Sequence, residues 1–60
     1  MHDLNYYKKL VKNAEILILQ IQNLEKKGIK KNKKEIALLN TSLSLTLVNI
    51  ENFLKAYKTF

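Results

Sequence analysis

Leu4, Tyr7, Val11, Ala14, Ile18 and Ile21 follow one another at alternating steps of three and four, and Leu10, Leu17 and Leu24 run beside them at intervals of seven. Spacing of this kind returns side chains to one side of a helix with 3.6 residues per turn, so the segment predicts an amphipathic α-helix. The same steps recur through Ile36, Leu39, Leu43, Thr46, Ile50, Phe53, Tyr57 and Phe60, with Leu47 and Leu54 flanking them. A second helix is expected there. Within it, residues 42 to 47 alternate polar and apolar as a half-buried strand would. The helical period continues on both sides with no turn residue between, and this favours one continuous helix.

Only one position interrupts the pattern. The chain has no proline and a single glycine, Gly28, and one punctuation mark in the middle of a chain implies two elements joined once. With Gly28 in a left-handed conformation just beyond the first helix, Ile29 falls where a Schellman ending places an apolar residue against Leu24. Asn32 is then positioned to cap the second helix, with Glu35 completing a capping-box-like pair. Asp3 suits the N-cap of the first helix. The expected fold is all-α. It is a single helical-hairpin domain over residues 1–60, with helix 1 at about 3–27, a turn at 28–32 and helix 2 at about 33–58, antiparallel because the connection is short.

Composition narrows the function. A chain of 60 residues buries only about 60% of its unfolded surface, which leaves little room for a solvent-shielded catalytic cavity. Cysteine is absent and His2 is the sole histidine, so thiolate chemistry and the usual zinc sites have no ligands. The acids Asp3, Glu15, Glu25, Glu35 and Glu51 are dispersed, although Glu25 and Glu35 are placed to meet near the turn, and no glycine-rich phosphate loop exists. A non-enzymatic protein is expected, with no catalytic residues, cofactor, metal or small-molecule substrate.

Apolar residues also occur away from the main stripes. Leu38, Leu45 and Val48 lie with Thr41 on a second line of helix 2, and Ile16 and Leu19 do the same on helix 1. Scattered exposed apolar residues are ordinary and need no explanation. The sharper reading is that a second copy or another protein covers Ile16, Leu19, Leu38, Leu45 and Val48, the economical form being a homodimer that builds an antiparallel four-helix bundle.

Charge is unevenly placed. Eleven lysines, no arginine and five acids leave a net charge of +6. Lys26, Lys27, Lys30, Lys31, Lys33 and Lys34 surround the turn, while Lys8, Lys9 and Lys12 meet Lys55 and Lys58 at the open end. The stretches between contain no lysine. Lys33 and Lys34 stand at the positive end of the second helix dipole, where a cation is unfavourable. Two readings follow: the turn cluster binds nucleic acid or an acidic protein face, or it is a solvated turn in a chain from an AT-rich genome. Without the arginine fork that reads guanine, any nucleic-acid binding is expected to be non-specific or led by shape.

At the open end Tyr6, Tyr7, Phe53, Tyr57 and Phe60 join the lysines, and all but Tyr6 occupy stripe positions that suit the core. The N-terminal residues lack a secretory pattern, and no stretch reaches the ~20 apolar residues of a membrane span, so a cytoplasmic or virion-associated protein is expected. The leading expectation is a small phage- or plasmid-type regulator or adaptor acting through homodimerisation and protein binding. A nucleic-acid-binding dimer using the lysine-rich turn is the alternative, and a cationic membrane-active peptide stands third.

Overall fold

Both periodic segments are helical in the computed structural model, which describes residues 4–58, without the side chain of Lys58. Helix α1 spans Leu4–Lys27 and helix α2 spans Lys33–Lys58. The expected cap at Asp3 and the last stripe residue, Phe60, lie outside the described residues. Residues 42 to 47 belong to α2, and two threonine hydroxyls in and beside this stretch bond back into the helix. Thr46 Oγ1 donates to the Ser42 carbonyl at 3.0 Å, and Thr41 Oγ1 to the Ala37 carbonyl at 3.1 Å. Each hydroxyl is satisfied by its own helix one turn back.

The turn is built differently from the Schellman expectation. Gly28 does take a positive φ, +141°, and its N–H donates to the carbonyls of Leu24 at 3.1 Å and Glu25 at 3.2 Å, closing α1. Ile29, however, is 61% exposed and does not cover Leu24. The Asn32 side chain does that work instead, donating from Nδ2 to the carbonyls of Leu24 at 3.2 Å and Gly28 at 3.1 Å. Both acceptors are carbonyl oxygens, so the nitrogen end of the amide must face them. The main chain of Asn32 still opens α2, since its carbonyl accepts from Ile36 N–H at 2.9 Å. Its side chain therefore caps the end of α1, and the expected capping box with Glu35 does not form. The reason is the α-turn between them: Asn32 N–H donates to the Gly28 carbonyl at 3.1 Å, which holds the amide beside α1.

This arrangement separates two roles for one residue. Serine is as good an N-cap as asparagine but too short to reach across to Leu24. Asn32→Ser is therefore expected to destabilise the hairpin by about 1 kcal/mol, read from urea unfolding followed by circular dichroism. A neutral result would return Asn32 to the N-cap role.

The helices pack along one seam in a register anchored at the open end, where the Tyr7 and Phe53 rings stack with centroids 5.3 Å apart. Stepping along both helices from that pair sets Leu10 level with Ile50, Ala14 with Thr46, Leu17 with Leu43, Ile21 with Leu39 and Leu24 with Ile36. The ladder ends at Gly28 and Asn32, which the turn hydrogen bond joins. At its middle the smallest seam residue, Ala14, is level with Thr46, the only aliphatic hydroxyl in the repeat.

Coverage is thin. Among the described residues only Leu10, Ala14 and Ile21 are buried, at 8%, 7% and 8% exposure. The Cα atoms span 46 × 15 × 11 Å, so the molecule is one helix thick. Leu4, Ile18 and Tyr57 belong to the apolar stripes and Leu47 and Leu54 flank the second, and all five are exposed. A single partner helix covers only the two innermost positions of each heptad; Leu4, Ile18, Leu47 and Leu54 stand one place further round, whereas Tyr57 continues the seam positions beyond Phe53, past the last described pair of the ladder.

Candidate functional site

The seam divides the hairpin into two broad faces, and heptad position decides which residues share a face. On one side, Gln20 and Asn23 of α1 and Glu35 and Leu38 of α2 border an open groove of about 450 Å³ floored by Leu24 and Leu39. In an antiparallel pair, residues that flank the seam on the other side of both helices must also share a face. Leu4, Val11 and Ile18, seven residues apart on α1, occupy it together with Leu47 and Leu54 of α2. Val11 is half-buried at the seam, and the other four are exposed. They form one ridge over the open-end half of the molecule, ending where Asn40 and Glu25 follow in the same heptad positions.

The residues singled out as a protein interface are all exposed, Leu38 most of all at 70%, but they do not form one patch. Leu38 lines the groove, and Ile16 and Leu45, nearly level with each other, share its face further toward the open end. Leu19 and Val48 sit at the backs of the two helices, pointing away from each other. Periodicity places Leu4, Val11 and Ile18 in the main stripe and sets Leu47 and Leu54 beside the second one. The signal that separates them is a third apolar position in each heptad, more than two helices can use. Glu25 and Glu35 likewise fall on opposite faces, so the carboxylates do not meet at the turn.

Lys26, Lys27, Lys30, Lys31, Lys33 and Lys34 are all exposed around the turn. Residues Lys30–Glu35 curve round a shallow concavity there. The only ion pair among the described residues lies elsewhere, between Lys55 Nζ and Glu51 Oε1 at 3.2 Å. Exposed and one helical turn apart, that pair contributes a few tenths of a kcal/mol. The turn charges thus meet solvent uncompensated.

At the open end the aromatics form a row. Phe53 contacts Tyr6 at 6.3 Å, Tyr7 at 5.3 Å and Tyr57 at 6.1 Å between ring centroids. Tyr7 and Phe53 are half-buried, as stripe positions predict, whereas Tyr57 is exposed and Tyr6 leans on Phe53 with half its surface still open. Such a row stiffens the open end by aromatic packing. Among the described residues no three His, Cys, Asp or Glu side chains come together as a metal site, and no helix is long and apolar enough to cross a membrane. Comparison of the chain with protein families, with curated proteins and with solved structures gives no match to any of them.

Proposed function

We propose that this chain is a small non-enzymatic regulatory or adaptor protein that acts by homodimerising and binding another protein. The observation that carries the reading is the excess of uncovered surface. The chain exposes 5168 Å², whereas a compact protein of 7.0 kDa exposes only about 4,000 Å². Much of the excess is apolar, since Leu4, Ile18, Leu19, Leu38, Leu45 and Leu47 are each more than two-fifths exposed. Water in contact with that much hydrocarbon favours any association that removes it. The two faces make two contacts available at once, an apolar ridge for one partner and, for another, a leucine-floored groove rimmed by Gln20, Asn23 and Glu35.

Sedimentation equilibrium over a hundredfold range of concentration tests the first half of this reading. A species of twice 7.0 kDa that dissociates on dilution, with helicity falling in parallel, is the expected result. A well-folded 7.0 kDa species at every concentration would overturn it.

A further inference from the structure

We infer that a second copy of this chain covers the ridge of Leu4, Val11, Ile18, Leu47 and Leu54, antiparallel to the first, so that the two lysine-rich turns lie at opposite ends. The inference rests on the homodimer reading and adds the face and the direction. Area supports the occupant. The surplus over a compact protein of this mass is about 1,100 Å², and each partner in a standard interface hides about 800 Å².

The ridge is also complementary to itself. Leu4 and Ile18 stand seven residues on either side of Val11, so a half-turn about an axis through Val11 exchanges Leu4 with Ile18 and returns Val11 to its own counterpart. Leu47 is close to level with that axis. The same half-turn brings Glu15, on the outer flank of the ridge, over Lys8 of the second copy, and Lys8 over its Glu15. Two symmetric ion pairs then border the apolar contact.

Direction follows from the turns. A parallel pairing would place two clusters of six lysines side by side, an uncompensated repulsion at the end of the molecule furthest from the ridge. The antiparallel pairing removes it. Because the axis passes through Val11 and not through the middle of α1, each turn overhangs the other copy's Leu4 by roughly 15 Å at 1.5 Å per residue. The lysines remain in solvent, and the grooved face with Leu38 and Leu45 is left uncovered on both outer sides.

The absence of cysteine makes single-cysteine variants unambiguous reporters. Under mild oxidation Val11→Cys, next to the axis, is expected to convert more than half of the chain to a covalent dimer. Leu4→Cys and Leu38→Cys are each expected to remain uncrosslinked, whereas a mixture of Leu4→Cys with Ile18→Cys crosslinks heterologously. Circular dichroism confirms that each variant is helical before oxidation. Crosslinking through Leu38→Cys but not Val11→Cys would overturn the face while leaving the homodimer reading intact. Crosslinking of mixed Leu4→Cys and Leu54→Cys in place of Leu4→Cys with Ile18→Cys would overturn the direction. A monomeric wild-type chain in sedimentation removes both readings together.

Discussion

Replacing Ile21 with alanine is expected to cost about 2–3 kcal/mol of stability, the lower part of the range for truncating a buried aliphatic side chain. Ile21 is one of three buried residues among those described, level with Leu39 in the seam. Its removal leaves neighbours on two helices without a partner, and a structure one helix thick has no further layer to settle into the gap. The lower part of the range applies because the seam is open to solvent along both edges and can partly close. Leu38→Ala removes a similar side chain at a site 70% exposed and is expected to stay within about 0.5 kcal/mol. Urea unfolding at one fixed protein concentration measures both, since association links apparent stability to concentration. Equal effects at the two positions would mean that the buried seam is drawn in the wrong place.

The second large effect is expected at the turn. Gly28→Ala should destabilise by about 1–3 kcal/mol, because a φ of +141° lies where a side chain clashes with its own backbone. Space is not the obstacle. An added Cβ would meet only the Lys31 Cβ at 3.7 Å, an ordinary contact. The cost is therefore conformational, and it acts on a residue with bonds on both sides of the turn: Gly28 N–H closes α1, and its carbonyl receives both the main-chain and side-chain nitrogens of Asn32. A variant as stable as wild type in thermal unfolding would show that the turn relaxes to another geometry.

The contrast between these two sites shows how legibility varied along the chain. Gly28 was readable because a single glycine between two periodic segments has few other uses, and a positive φ is something only glycine adopts cheaply. Asn32 was readable as a turn residue but not in its role. An asparagine before a helix can accept from the helix that follows or donate to the one that precedes. The choice depends on where the carbonyl of Leu24 ends up, eight residues away. Ile29 failed for a related reason: with the Leu24 carbonyl satisfied by Asn32, nothing draws an apolar side chain back over the turn.

The proposed interface shows the same division more sharply. Ile16, Leu19, Leu38, Leu45 and Val48 stood out because they break the main stripe, yet the structure distributes them over a groove and two outer backs. Leu4 and Ile18 fit the stripe and Leu47 and Leu54 flank it, yet all four lie exposed. A stripe three positions wide is the pattern of a helix with two neighbours, and only one neighbour is present.

By itself the sequence determined the elements, the connection between them and the charge map. Those follow from periodicity, one glycine and the positions of eleven lysines, all of which are local. Only the tertiary structure decided which apolar residues are covered. Coverage depends on how far one helix reaches around another, and that is a property of the pair, set by the level of Tyr7 with Phe53 and by the width of a single seam. The third apolar position of each heptad belongs to the sequence, but its exposure emerges only when two helices have packed and a face remains.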